Sequence, residues 1–188
     1  PVTFESTAAD GEVAWFLAPP VTAGPTCARE RIAAALGLAP DDIETRAPVQ
    51  QFAAGTSAMI VPLRSLDALR RSRLDLATYA DLAGEGFPPL TYLFCTETRE
   101  PGNHLSARFF FEAHGVREDP ATGNGAAFLG AYLLQHKFFA AAELSLRIEQ
   151  GHEVRRPSLV RLRARMAGSS REIHVGGKVI ATVGGELL

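Results

Sequence analysis

The sequence has little cysteine, little net charge and no long apolar run, and each shortage excludes a class of protein. Cys27 and Cys95 are the only cysteines among 188 residues and form no CxxC pair, so we expect no disulfide framework and a reducing compartment, the cytoplasm. No apolar run approaches the roughly 20 residues of a membrane span, and the first residues lack a signal-peptide pattern. The formal net charge is −2 without a basic stripe, which argues against nucleic acid as a partner.

Histidine spacing typical of a metal site is also missing. The five histidines are His104, His114, His136, His152 and His174. None of them forms an HxxxH or HxH pair, the spacings that bring two imidazoles to one metal ion. We therefore expect no bound metal. His114 lies five residues before Asp119 and is a candidate to contact a substrate.

The composition is that of a folded chain with one core of ordinary size. Hydrophobic residues make up 46% and charged residues 21%, which argues against disorder. Apolar periodicity predicts both strands and helices. The predicted strands are 2–6, 12–18, 58–63, 90–96, 105–111, 144–149, 158–166, 171–175 and 178–183, the first two forming a hairpin. The predicted helices are 65–71, 75–83, and 27–36 with Thr26 as its cap and Gly37 as its stop.

Residues 124–136 differ from the other predicted helices because they are apolar on nearly every side. A helix without a polar face belongs inside a protein. Predicted strands precede and follow this helix in the sequence. The pattern therefore predicts an α+β fold, in which a mostly antiparallel sheet wraps around one buried helix.

The loop that enters this helix carries the residues with chemical potential. Gly123 and Gly125 allow the backbone to turn and to approach a ligand closely. At the start of the helix, the N–H groups of Gly123, Asn124 and Gly125 combine with the helix dipole to favour an anion such as a carboxylate. Asp119 lies just outside this predicted anion site, where it is placed to act as an acid or base or to orient an amine or hydroxyl.

A purely structural interpretation of the same loop is open. Asp119 or Thr122 would cap the helix, and Pro120 would fix the turn before it. On spacing alone, the residues favour this structural interpretation over the functional one, because an Asp-Pro pair before a helix is common.

Three segments resemble one known family. Residues 118–126, EDPATGNGA, resemble the EDPATG signature of the phenazine-biosynthesis (PhzF-like) isomerases and epimerases, and residues 149–158, EQGHEVRRPS, resemble their QG…GRPS segment. The tail at 175–187 is similar to their closing strands. The resemblance implies the diaminopimelate-epimerase-like fold, in which two similar halves each wrap a sheet around a central helix and the active site lies between them.

The resemblance also implies a chemistry. Family members transfer a proton on a small carboxylate-bearing substrate without a metal or organic cofactor, and their site residues map to Asp119 and Asn124. It divides the chain into a hairpin remnant of the N-terminal domain at 1–20, a C-terminal domain at 21–170, and closing strands at 171–188 that pair with the remnant. The expected partner is a second copy in a homodimer or a missing N-terminal half.

The sequence departs from the family pattern in ways that bear on activity. The family's glutamate in a SET-type motif and histidine in a GHAT-type motif do not occur in these 188 residues. We therefore expect a C-terminal portion that is inactive alone; the rival is a non-catalytic domain that binds a small anion or a protein. Asn124 stands where serine is frequent, and Arg155 where glycine is frequent. Thr122 replaces the thiol of cysteine-dependent epimerases, which disfavours a two-thiol mechanism.

Overall fold

The computed structural model describes residues 2–7, 11–111 and 116–180. The strands of this part of the chain are β1 (Val2–Thr7), β2 (Gly11–Leu17), β3 (Thr22–Cys27), β4 (Val49–Ala54), β5 (Thr56–Pro62), β6 (Thr91–Cys95), β7 (Leu105–Phe111), β8 (Val116–Asp119), β9 (Glu143–Gln150), β10 (Ser158–Ala167) and β11 (Ser170–Lys178). The helices are α1 (Arg29–Ala35), α2 (Leu66–Arg71), α3 (Leu76–Gly84) and α4 (Gly123–Gln135), with a 3-10 turn at Pro40–Asp42.

All the described strands belong to one sheet. Its order is β1-β2-β11-β10-β9-β7-β6-β5-β4-β3, and β8 pairs with β7 outside this path. Only β5 with β6 and β7 with β9 are parallel; the other described pairs are antiparallel. The predicted α+β class with a mostly antiparallel sheet is thus confirmed.

Helix α4 lies inside the curve of this sheet, as its apolar sequence predicts. Every residue from Gly125 to Leu133 is buried. Gly130 shows how closely the sheet approaches, because a Cβ atom there would lie 3.0 Å from Leu162 and 3.1 Å from Ile173. The helix requires a small residue at this position, and the strands β10 and β11 supply the apolar side chains that cover it.

A second core lies on the other face of the central strands. Helices α1, α2 and α3 pack there against Met59, Leu93 and Phe110, whereas the neighbouring residues Tyr92 and Phe109 face the core around α4. Successive residues of a strand point to opposite faces. Strands β5, β6 and β7 are therefore buried on both sides, and this explains their nearly continuous apolar sequences.

The structure differs from the sequence predictions mainly near the start of the chain. Strands β3 and β4 were not predicted. The prediction that Thr26 caps a helix is wrong, because Thr26 lies in β3 and the N-cap of α1 is Ala28. Gly37 does have the left-handed backbone (φ +64°) expected of a stop residue. The two predicted strands at 171–175 and 178–183 are one strand, β11, as far as Lys178, and residues 181–188 lie outside the described part.

The N-terminal hairpin is continuous with the rest of the sheet. Strand β2 pairs with β11 in antiparallel register, from Val13 opposite Lys178 to Leu17 opposite His174. The strands of the predicted hairpin are therefore present, although residues 8–10 between them lie outside the described part. The division into domains at residues 20 and 170 stays a prediction.

A cluster of polar side chains at the C-terminal end of α4 connects two strands that lie far apart in the sheet. Arg171 of β11 donates to the Gln135 side chain at 2.7 Å and to the Val21 carbonyl at 3.1 Å. Gln135 and His136 in turn contact the Gln50 side-chain oxygen of β4 at 3.1 and 2.8 Å. Side-chain hydrogen bonds thus connect β11 to β4, which do not pair with each other.

We expect this cluster to make stability depend on pH. Burial, with the charge of Arg171 adding to it, lowers the pKa of His136. Protonation of His136 is therefore easier in the unfolded chain, and the folded state loses stability as the pH falls below the unfolded value of about 6.5. Chemical unfolding at about pH 7.5 and about pH 5 should show a smaller loss of stability for His136→Gln than for the parent chain. The control is His152→Gln, and an equal loss in both variants would contradict the assignment.

Candidate functional site

A cavity of about 400 Å³ opens at the N-terminus of α4. Apolar side chains form part of its lining, which we call the floor, and the other part carries the polar groups. The floor consists of Phe16, Leu90, Phe109, Phe111 and Phe128, and the remaining wall of Thr56, Asp119, Ala121, Thr122, Gly123 and Asn124. Asp119 is the one titratable side chain among these residues. The cavity thus places a carboxylate, a helix start and a phenylalanine-rich surface side by side.

Asp119 ends strand β8, opposite Phe109 of β7. Its carboxylate accepts a hydrogen bond of 2.6 Å from the Thr122 hydroxyl, and the residue is half-buried. Thr122 is the N-cap of α4 but makes no side-chain capping bond. The two side chains are therefore bonded to each other, and the described hydrogen bonds do not show either one capping the helix.

The helix start keeps backbone donors available. Ala126 donates to the Thr122 carbonyl at 3.1 Å, so the N–H groups of Gly123, Asn124 and Gly125 precede the first N–H group that donates within the helix. Gly123 and Asn124 line the cavity, and Asn124 is exposed, whereas Gly125 is buried behind them. Binding of a carboxylate by these groups stays a prediction.

The two glycines are needed for space and not for a turn. Both lie in α4, and neither is among the residues with positive φ. A Cβ atom on Gly123 would lie 3.1 Å from the Phe16 ring, and one on Gly125 would lie 2.4 Å from the Tyr92 ring. Two aromatic rings therefore pack directly on the backbone at the helix start.

Gln150 belongs to the QG motif but was not among the predicted site residues, and its side chain holds the loop. Its Nε2 donates to the Asp119 carbonyl at 2.7 Å and to the Thr122 hydroxyl oxygen at 3.0 Å. Its Oε1 faces the Thr122 N–H at 3.4 Å and the Tyr92 hydroxyl at 3.3 Å. The side chain is fully buried. Hydrogen bonds therefore connect the QG segment to the DPATG segment. From sequence, only the resemblance of both segments to one family indicated that they belong to one site.

Gly151 brings the same two segments together at the backbone. Its φ is +82°, and a Cβ atom there would lie 2.3 Å from the Arg156 carbonyl oxygen and 2.7 Å from the Pro120 carbonyl oxygen. Neither backbone group has room to move away without displacing the loop. Here glycine is required both for its conformation and for the close approach.

A buried ion pair lies directly behind the loop. Arg108 of β7 pairs with Glu118 at 2.7 Å, and both side chains are nearly inaccessible to solvent. Arg108 also donates to the carbonyls of Leu69 and Ser72 at 3.0 and 2.9 Å. Because Glu118 precedes Asp119, this pair fixes the end of β8 to the centre of the sheet.

A second buried carboxylate anchors the segment that follows β9. Burial would raise the pKa of Glu149, but hydrogen bonds from Asn103, Ser106 and the N–H groups of Arg99 and Glu100 outweigh it and hold that pKa below its usual value. Arg99 also pairs with Glu153. Charged groups thus surround the QG turn on the side away from the cavity.

The remaining candidates lie elsewhere or outside the described part. His114 falls in residues 112–115 and is not described. Cys27 and Cys95 are buried in the second core, and burial raises the pKa of Cys95 to about 12. In the ranges 2–7, 11–111 and 116–180, no group of three metal-ligating side chains occurs. No helix of these ranges is long and apolar enough to cross a membrane.

Known proteins resemble this chain in sequence. A family model described as phenazine biosynthesis-like protein matches residues 1–185. An uncharacterized isomerase of Pasteurella multocida is 35% identical over 81% of this chain and 47% of its own length. Trans-2,3-dihydro-3-hydroxyanthranilate isomerase of Pseudomonas aeruginosa is 31% identical over 71% of this chain and 46% of its own length. The chain therefore belongs to the phenazine biosynthesis-like (PhzF) family.

Solved structures show the same fold. A PhzF-family protein of Bacillus anthracis superposes with a TM-score of 0.82 at 23% identity, over 94% of this chain and 61% of its own. A predicted epimerase of Pseudomonas aeruginosa gives 0.69 at 25% identity, over 91% and 57%. The chain spans about half the length of the curated relatives it matches.

Replacing Arg108 tests the anchor behind the loop. We expect Arg108→Met to lower the free energy of unfolding by about 3–5 kcal/mol, because Glu118 would remain as an unpaired buried charge. The double variant Arg108→Met/Glu118→Gln should recover part of that loss. Urea unfolding of the three proteins measures both effects. A double variant less stable than Arg108→Met would contradict the pairing.

The residue that departs from the family's glycine offers a second test. Arg155 has a left-handed backbone, with φ +58°. Such a conformation costs a residue with a side chain about 1–2 kcal/mol, whereas glycine adopts it readily but loses more entropy on folding. We therefore expect Arg155→Gly to raise the free energy of unfolding by about 0.5–1 kcal/mol. Arg155→Ala keeps the strain and is the control, and a glycine variant less stable than the alanine variant would contradict strain at this position.

Proposed function

We propose that this chain forms one wall of the active site of a cofactor-independent isomerase or epimerase, which moves a proton on a small carboxylate-bearing substrate. One observation carries the proposal: the Asp119 carboxylate and the open N-terminus of the buried helix α4 line the same cavity. Membership of a family with curated isomerases supports the reaction class.

The substrate carboxylate binds at the helix start in this proposal. The N–H groups of Gly123 and Asn124, together with the dipole of α4, favour a negative charge there. The exposed side-chain amide of Asn124 adds a further donor. The ring-lined floor below packs against the non-polar part of the substrate.

Asp119 transfers the proton, or holds a substrate amine or hydroxyl beside it. A shift of a proton between two substrate atoms needs a group that removes it and a group that returns it. Where these are two different residues, the described wall supplies only Asp119. We therefore infer that the chain alone turns over little, and that a second wall completes the site.

A non-catalytic domain that binds a small anion or a protein is the second candidate. The same observation favours it, since one titratable side chain in the described cavity wall suffices for binding but not for two-residue catalysis. Incorporation of solvent deuterium into a bound amino or hydroxy acid, measured with the second wall of the site restored, distinguishes the candidates, because a binding domain catalyses none even then.

Partners and location follow from the same proposal. Val2 and Phe4 on the edge strand β1 are 59% and 61% exposed, which supports contact with a second copy or with further chain of the family's usual length. The scarcity of cysteine supports a cytoplasmic location.

Binding of benzoate tests the proposed carboxylate site. We expect benzoate to shift the backbone amide resonances of Gly123 and Asn124, and benzyl alcohol, which has the ring without the charge, to leave them in place. Asp119→Asn should tighten benzoate binding about fivefold, since it removes roughly 1 kcal/mol of charge repulsion. Asp41→Asn, at an exposed position on the 3-10 turn, is the control. Shifts confined to other parts of the chain would refute the site.

A further inference from the structure

We infer that Gln150 is a positioning residue that fixes the direction of the Thr122–Asp119 hydrogen bond, so that Asp119 exchanges a proton with a ligand preferentially through Oδ1. The inference rests on the proposed function, in which Asp119 faces the substrate. It adds two residues, Gln150 and Thr122, that set which oxygen of the carboxylate is available.

The orientation of the Gln150 side-chain amide follows from two backbone groups, one that can only accept a hydrogen bond and one that can only donate. The Asp119 carbonyl can only accept, so the atom 2.7 Å from it is Nε2. The Thr122 N–H can only donate, so the atom 3.4 Å from it is Oε1. Exchanging the two atoms would place donor against donor and acceptor against acceptor. The amide therefore has one orientation.

This orientation decides where the Thr122 hydroxyl points. The second Nε2 proton of Gln150 is directed at the Thr122 hydroxyl oxygen, 3.0 Å away, which thereby accepts. The hydroxyl proton is left to donate to Asp119 Oδ2 at 2.6 Å, a distance typical of an O–H donor to a carboxylate. A series of hydrogen bonds, which we call the relay, thus runs from Gln150 through Thr122 to Asp119.

The hydrogen bonds leave one oxygen of Asp119 without a partner in the described ranges. Oδ2 accepts the Thr122 proton, which lowers its affinity for a further proton relative to that of Oδ1. Oδ1 makes no hydrogen bond in these ranges, and Asp119 lines the cavity. A proton that Asp119 takes up or gives away therefore passes preferentially through Oδ1.

Gln150 cannot relax out of this arrangement. Its side chain is fully buried, and its backbone pairs with Ser158 and Ala107 on the two neighbouring strands. The Tyr92 hydroxyl donates to Oε1 at 3.3 Å. Burial, followed by the charge of Asp119, raises the pKa of Tyr92, so that this hydroxyl remains a donor.

Isotope-labelled 188-residue chain at about pH 7.5 provides the test, because the NMR signals report on the relay without any ligand. Thr122→Val keeps the shape of the side chain but removes the hydroxyl, and Thr122→Ser keeps the hydroxyl. We expect Thr122→Val to shift the Asp119 carboxyl carbon resonance and to speed exchange of one Gln150 Nε2 proton about tenfold, the factor for one ordinary hydrogen bond. Thr122→Ser should retain both parent values.

Gln150→Met isolates the role of Gln150. It should shift the Asp119 carboxyl resonance as Thr122→Val does, because the hydroxyl is no longer held toward Asp119. An unchanged resonance would show that Thr122 orients Asp119 unaided and would overturn the inference. Should this variant not fold, the parent chain still decides: a coupling across the hydrogen bond from Gln150 Nε2 to the Asp119 carbonyl carbon is expected, and its absence overturns the inference.

The benzoate experiment separates this inference from the proposed function. If the Asp119 carboxyl resonance and the Gln150 proton exchange respond as expected but benzoate does not bind at Gly123, the carboxylate site is refuted and the hydrogen-bond direction stands. If benzoate binds but the Asp119 carboxyl resonance is unchanged in Thr122→Val, the relay alone is refuted. A purely structural role of Thr122 would change global stability without the rescue of both signals by Thr122→Ser.

Discussion

The structure depends on one constraint: helix α4 has no polar face and must be enclosed. The sheet meets this requirement by curving around it, and the small residue Gly130 lets β10 and β11 approach the helix backbone. At the C-terminal end of the helix, side-chain hydrogen bonds centred on Arg171 and Gln50 connect the helix to the sheet. These bonds satisfy polar groups that would otherwise be costly beside an apolar core.

Enclosing the helix also creates the candidate site. The N-terminus of α4 opens to the cavity, so the backbone N–H groups of its first turn are held there at a fixed position. The loop before it is held by Gln150, by the close approach of Gly151 and by the Arg108–Glu118 pair. All three are buried or confined by backbone contacts. A rigid loop of this kind keeps Asp119 in one orientation without help from a ligand.

The sequence predicts those parts of the molecule in which local pattern and burial agree. The apolar run of α4 and the buried strands β6 and β7 are found where they were expected, because each shows its period within a few residues. Strand β3 contains Gly24 and Pro25 and is mostly exposed, so it has no such pattern and is formed by pairing with β4. The role of Gln150 depends on contacts with residues 28 to 58 positions away, which no local pattern contains.

The pairing of β2 with β11 has a consequence for folding kinetics. Val13 and Lys178 are neighbours in the sheet although nearly the whole described chain separates them, and closing so long a loop is slow compared with forming local contacts. Phe16 of the same strand β2 forms part of the cavity floor. The cavity is therefore complete only once β2 has paired with β11. A molecule that bound this cavity would accordingly stabilise the state in which these two strands are paired.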